Sequence, residues 1–180
     1  MSKVDVMCDE AKRIALDDTH GYDWDDRDGN PNYDCSGLAY GCAVFAKILD
    51  ASVLLGTHYT GTIINHFTAV GYRCDAFDGN VYDLERGDLL LRDTSNGHVA
   101  IYIGNGKMVE ANINEKGTVR GGKSGDQTGH EIHVTNVHAN GWTHVLTPPD
   151  KFKVDSQTEA PNKNELITML TKALEIAKGL

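Results

Sequence analysis

Cys35 opens an apolar helical run, within the stretch Tyr33-Asp34-Cys35-Ser36-Gly37. The first backbone N–H groups of a helix have no partner inside it, and the helix dipole is positive at that end. Both effects favour a thiolate over a thiol. The same N–H groups can receive the oxyanion that forms when a thiolate attacks a carbonyl. A lone cysteine in such a place is also an ordinary small core residue, so the chemical reading needs a partner. His98 supplies one. It opens the strand-like run His98-Val99-Ala100-Ile101-Tyr102-Ile103, and Glu110 and Asn112 lie on the segment that returns from it. A nucleophile, a base, and a carboxylate or amide that fixes the tautomer of the base make up the set that cysteine acyl transfer requires.

The elements that must carry these residues are legible from periodicity. Val4, Met7, Cys8, Ala11, Ile14 and Ala15 recur at three- and four-residue steps and predict a helix over Val4–Leu16. A loop of acids, Asn, Gly and Pro from Tyr22 to Asp34 leads to Cys35. The next helix is expected over Ser36–Asp50, burying Leu38, Ala39, Cys42, Phe45, Ile48 and Leu49, and another over Thr62–Val70. Then the period changes to that of strands. Leu89-Leu90-Leu91 and the 98–103 run are followed by Gly104-Asn105-Gly106 and a return over Lys107–Asn112, the clearest hairpin in the chain. A two-residue Asn-Gly turn would pair Ile103 with Met108 and mix apolar and charged groups on both faces. A three-residue loop pairs Ile103 with Lys107, Ile101 with Val109 and Val99 with Ala111, leaving one apolar face. His98 then stands opposite Asn112, with Glu110 diagonal to it. Strands are also expected over Glu131–Val137 and Trp142–Leu146. Helices first and antiparallel strands after make the class α+β.

The 180 residues suffice for one domain with a short appendage: 1–150 catalytic, 151–163 a polar linker, and 164–180 an amphipathic helix suited to docking or self-association. A net charge of −9 argues against nucleic acid as the main partner. No stretch approaches the ~20 apolar residues of a membrane span. Met1-Ser2-Lys3-Val4-Asp5 shows no apolar signal region, so synthesis in the cytoplasm without a visible signal peptide is expected. The four cysteines form no zinc pattern and no disulfide framework. Cys8, Cys42 and Cys74 read as buried thiols. His130, His133, His138 and His144 fit no zinc spacing and read as solvent-facing strand histidines. Gly117-Thr118-Val119-Arg120-Gly121-Gly122-Lys123-Ser124 matches a phosphate-binding pattern formally, but Gly125-Asp126-Gln127-Thr128-Gly129 cannot start the helix that motif needs. The alternating oxygens of Asp26, Asp28 and Asn30 make a candidate calcium loop, although Pro31 stands where an EF-hand has glycine.

Three segments together carry a family resemblance: Asp34-Cys35-Ser36-Gly37 before an apolar helix, Arg86-Gly87-Asp88-Leu89 before a strand, and Gly97-His98-Val99-Ala100-Ile101-Tyr102-Ile103-Gly104. They resemble the NlpC-type papain-like cell-wall peptidases. His20-Gly21-Tyr22, Arg27-Asp28-Gly29 and Tyr33-Asp34-Cys35 resemble the branch found in bacteriophage peptidoglycan hydrolases, the endolysins. The likeness spans about residues 5 to 148. It implies a papain-like α+β core that cleaves amide bonds in peptidoglycan, with Cys35 as nucleophile and His98 as general base. Many relatives carry a histidine twelve residues after the base, where this chain has Glu110. Glu110-Ala111-Asn112 is instead similar to the Glu-x-Asn ending of the related CHAP amidases, so either residue could orient His98, with Glu110 favoured. Tyr22 matches a family tyrosine near the oxyanion and substrate. Asp34 and Ser36, which flank the nucleophile, are assigned with it to the substrate side. The acidic loop resembles the calcium loop of some CHAP domains, while catalysis itself requires no cofactor and no catalytic metal.

The expected activity is therefore that of a cysteine hydrolase acting on the bacterial cell wall, as N-acetylmuramoyl-L-alanine amidase or as stem-peptide endopeptidase. Two rivals remain at this stage. One is a papain-like transferase or deamidase acting on a protein. The other is a catalytically degenerate wall-binding module.

Overall fold

The computed structural model describes residues 1–155. The expected helix at 164–180, its proposed role in self-association, and most of the expected linker lie outside the described residues.

Helix α1 (Lys3–Ile14) starts at Ser2, whose hydroxyl caps the N–H of Asp5 at 3.1 Å. It buries Val4, Met7, Cys8, Ala11 and Ile14 along one stripe. Helix α2 (Cys35–Phe45) lies against it and is apolar nearly all round. It is shorter than its periodicity suggests. Lys47 adopts a left-handed conformation (φ 55°), and the N–H groups of Ile48 and Leu49 fold back onto the Ala43 carbonyl. Ile48 and Leu49 thereby reach the core, whereas Phe45, expected there, is 59 % exposed. Helix α3 (Ile63–Ala69) buries Ile63 and Phe67.

Six strands form one antiparallel sheet: β1 (Arg73–Ala76), β2 (Leu89–Arg92), β3 (His98–Gly104), β4 (Lys107–Ala111), β5 (Ile132–Asn136) and β6 (His144–Thr147), in the order β1-β6-β2-β3-β4-β5. The α+β class, with N-terminal helices packed on an antiparallel sheet, is thus as expected. Strand β1 has no sequence signal. Its residues are mostly exposed, and pairing with β6 alone makes it a strand.

The β3–β4 hairpin resolves its two registers by combining them. Ile101 pairs with Val109 and Tyr102 with Met108, as the apolar face demands. Gly104 nevertheless pairs with Lys107, so the turn is the two-residue Asn105-Gly106, both at positive φ (54° and 69°). A bulge between Tyr102 and Gly104 absorbs the difference. Val99, Ile101, Val109 and Ala111 then face α1 and α2 in the main core. The opposite face, expected to be mixed, buries a smaller cluster of Leu90, Ala100, Met108 and Trp142.

Two further elements tie the layers together. Arg86 reaches Asp5 of α1 at 3.1 Å and also bonds Asp9 and the Ile103 carbonyl, which gives the Arg86-Gly87-Asp88 motif a structural task. Residues 151–153, assigned to the linker, instead belong to a short helix, α4 (Asp150–Lys153). Its Phe152 is buried in the main core, its ring 6.3 Å from that of Tyr72, so the domain extends past residue 150.

Candidate active site

Cys35 is the first residue of α2, held there by Asp34 as N-cap. One Asp34 carboxylate oxygen accepts from the Gly37 N–H at 2.6 Å and from the Ser36 hydroxyl at 3.1 Å. The other lies 3.3 Å from the Arg27 guanidinium. Arg27 also donates to the Ser36 hydroxyl at 2.6 Å and to the His58 carbonyl at 2.8 Å. Burial raises the Asp34 carboxyl above its ordinary range, opposed by Arg27 and by the Gly37 and Ser36 donors. Asp34 and Ser36 line the cleft, but their polar atoms are spent on building the helix start. Leu38 donates to the Asp34 carbonyl and Gly37 to its side chain, so the N–H groups of Cys35 and Ser36 are the ones without an intrahelical acceptor. Gly37 is required by packing: a Cβ there would stand 1.8 Å from the Arg27 carbonyl oxygen.

His98 is the first residue of β3. Its Nε2 donates to Glu110 Oε2 at 2.8 Å, which leaves Nδ1 for the side of Cys35, the other group that acts electrostatically on the ring. Burial works against charge on His98, but the hydrogen bonds and charges of Cys35 and Glu110 outweigh it and raise the imidazole to about 9. Glu110, 9 % exposed, moves the other way. Burial would raise it, yet His98, followed by His133 and His138, holds the carboxyl below its ordinary value. The two shifts agree in sign: the pair favours imidazolium and carboxylate. Trp142 stacks on the His98 ring at 5.6 Å between centroids, with planes 16° apart, and His138 stacks on the indole's neighbourhood at 5.5 Å and 17°. The indole N–H is anchored on the His138 carbonyl at 2.9 Å.

Asn112 lines the same cleft without a hydrogen bond to His98; its backbone N–H bonds the Glu131 carbonyl. The diagonal contact to Glu110, and not the direct one to Asn112, is therefore the one the strand pair makes. Tyr22 is 6 % exposed and lines the cleft, with its backbone N–H on Glu131 at 2.9 Å. Burial first, and then the charges of Cys35 and Asp34, push its phenol well above the ordinary tyrosine range, so it stays a donor.

The cleft has a volume of about 690 Å³ and contains Cys35 and His98. Its walls come from separate loops: Trp24, Tyr59 with Thr60, the Arg92–Gly97 turn, and Val119. The rejected phosphate-binding motif is part of this wall. Val119 accepts from the Trp24 N–H at 2.9 Å, and the Arg120 guanidinium lies over the Trp24 ring at 4.2 Å. In the candidate calcium loop, Asp28 bonds His58 at 2.7 Å. Among the described residues no group of three or more His, Cys, Asp or Glu side chains is arranged to hold a metal.

Arg27, Trp142 and His133 escaped the sequence reading. His133, expected to face solvent, stands across the β4–β5 ladder from Glu110.

Comparison with known proteins gives three findings. A family model described as an endolysin-like domain matches residues 108–167. No curated protein matches. Solved structures similar to this chain include the NlpC/p60 domain of the peptidoglycan hydrolase SagA, at 20 % identity over 79 % of this chain and 96 % of that one, TM-score 0.47. Another is the P60 domain of an antigen of M. avium subspecies paratuberculosis, at 21 % identity over 82 % and 96 %, TM-score 0.48. A third is the peptidoglycan hydrolase RipB of Mycobacterium tuberculosis, at 22 % identity over 78 % and 63 %, TM-score 0.46.

Proposed function

We propose that this chain is a peptidoglycan hydrolase of endolysin type that cleaves an amide bond of the bacterial cell wall by cysteine acyl transfer. The observation that carries the proposal is the ordered line Cys35–His98–Glu110 in an open cleft, with His98 bonded to Glu110 at 2.8 Å and electrostatically coupled to Cys35. The match to an endolysin-like domain and the NlpC-type resemblance of Asp34–Gly37 and Gly97–Gly104 support the substrate class.

In this mechanism His98 takes the thiol proton through Nδ1, and the sulfur attacks the carbonyl carbon of the scissile amide. The oxyanion is received by the Cys35 N–H at the start of α2, with the Tyr22 hydroxyl as second donor. The imidazolium, stabilised by Glu110, protonates the leaving amine as the C–N bond breaks, leaving a thioester. His98 then draws a proton from water, which attacks the thioester and regenerates the thiol. Glu110 keeps the proton of the neutral ring on Nε2 and so leaves Nδ1 as the base. The site of action is the wall, reached from the host cytoplasm if the protein is phage-encoded.

The test is mass spectrometry of fragments released from purified Gram-positive cell walls by wild type and by Cys35→Ala. Free stem peptides with an intact alanine amine, absent with the variant, identify a muramoyl–alanine amidase; split stem or cross-bridge peptides identify an endopeptidase. An absence of Cys35-dependent fragments from several wall types rejects the proposal.

A further inference from the structure

Glu110 has two imidazole partners, one on each neighbouring strand. Oε2 accepts from His98 of β3 at 2.8 Å, and Oε1 lies 3.5 Å from Nε2 of His133 on β5. The β4–β5 register pairs Glu110 directly with His133, so the two side chains share a face of the sheet. His133 is itself fixed at its other nitrogen. Nδ1 lies 2.8 Å from the His130 carbonyl, which can only accept, so Nδ1 carries a proton. Nε2 then points at a carboxylate oxygen of Glu110, also an acceptor. The two side chains are largely shielded from solvent, 20 % exposed for His133 and 11 % for Glu110.

We propose that His133 is a positioning residue for this active site: it anchors the free oxygen of Glu110 and so holds the carboxylate in line with His98. The assignment rests on the Cys35–His98–Glu110 reading given above. A carboxylate with one partner can rotate about its long side chain, and holding it costs side-chain entropy. A second partner from the adjacent strand removes that freedom. The charged and titratable groups facing Glu110 are His98 from β3, His133 from β5 and His138 from the segment after β5. Cys35 lies beyond His98. Without His133, burial of the carboxylate is opposed by one fewer cation, and Glu110 picks up its proton at higher pH. His98, less well supported by the carboxylate, then gives up its imidazolium proton at lower pH.

The experiment reads the Cys35–His98 pair without any wall substrate. The rate of Cys35 alkylation by iodoacetamide is followed from pH 4 to pH 10 in a Cys74→Ser background, since Cys8 and Cys42 are buried. In His133→Leu the alkaline limb of the rate profile, where His98 gives up its proton, should move down by about one pH unit. His133→Gln, which can still donate to Glu110, should restore most of the wild-type profile. Equal near-ultraviolet circular dichroism establishes that the variants are folded, and loss of strand packing alone would lower the folded fraction without moving the limb. A limb that stays in place, or moves up, in both variants overturns the proposal. His98→Ala is the control for the underlying site: a pH profile unchanged in that variant rejects the Cys35–His98 pair itself, a separate failure.

Discussion

His98 lies flat against Trp142, with ring planes 16° apart and centroids separated by 5.6 Å. The contact fixes the plane of the imidazole from the side, while Cys35 and Glu110 fix its two ends. A charged imidazole over an indole face also gains cation–π attraction, about 0.5–2 kcal/mol. Trp142→Leu should therefore lower kcat by about twofold to thirtyfold through that loss, with KM little changed. Trp142→Ala should in addition destabilise the fold by about 3 kcal/mol or more, because Trp142 belongs to the small core of Leu90, Ala100 and Met108. Steady-state kinetics and denaturant melts of the two variants separate the effects. Wild-type kcat in Trp142→Leu would mean that the stack does not orient the base.

The raised imidazole of His98 links stability to pH with a defined sign. Its folded value of about 9 lies above the unfolded value of roughly 6.5. The stability it contributes is thus complete below pH 6.5 and lost as pH rises through about 9. Glu110 has the opposite dependence: its folded value is lowered, so its contribution is present above its ordinary value of 4.5 and lost as pH falls through the lowered one. The Tm difference between wild type and His98→Gln should be largest near pH 6 and shrink toward pH 9.5. A difference that grows with pH would contradict the ion pair. Activity should show an alkaline limb near pH 9, where the imidazolium that protonates the leaving amine is lost.

Glu110 and Asn112 make different predictions although they are two residues apart on one segment. Glu110→Gln keeps the shape and a potential acceptor but removes the charge that supports the imidazolium, and kcat should fall by about a hundredfold. Asn112→Ala touches no bond to His98, so kcat should change by no more than a few fold, with any effect falling on KM through the cleft wall. The reverse order of severity would transfer the orienting role to Asn112.

These residues differ in how far the sequence reveals them, and the reason is the range of the contacts. Cys35 and His98 each sit at the start of an element whose periodicity is local, and Glu110 follows from the pairing of two strands joined by a short turn. Even the bulge near Ile103 preserves the predicted pairing of Ile101 with Val109. Trp142, on the segment that leads into β6, and His133 of β5 enter the site through strands whose partners are fixed by tertiary packing across the long 112–131 loop and the crossover to β2. Spacing within the chain carries no trace of that. Arg27 is hidden for a similar reason: it lies among acids that suggest a solvated turn, yet its guanidinium is turned inward onto Ser36, Asp34 and the His58 carbonyl. Phe152 looked like linker because its neighbours are lysines, although its ring completes the core beside Tyr72.

Gly37 joins the inward-turned Arg27 to the nucleophile. The glycine lies within the first turn of α2 at ordinary helical φ, so no conformational need explains it. The Arg27 carbonyl oxygen does: it occupies the space where a Cβ would be, 1.8 Å from the ideal position. A methyl group there cannot be relieved by a flexible side chain, because the opposing atom is backbone. Gly37→Ala must therefore displace the 26–28 segment, and with it the Arg27 bonds to Ser36, Asp34 and His58 that hold the helix start. The expected result is a loss of about 1–3 kcal/mol in stability, typical of overpacking, together with a fall in activity larger than the unfolded fraction accounts for, since Cys35 moves with the cap. Ser36→Ala gives the comparison. It deletes one Arg27 bond without crowding the segment, so it should cost about 1 kcal/mol and leave kcat close to wild type. Equal kinetic damage from the two variants would mean that the hydroxyl, and not the close backbone approach at Gly37, sets the position of the nucleophile.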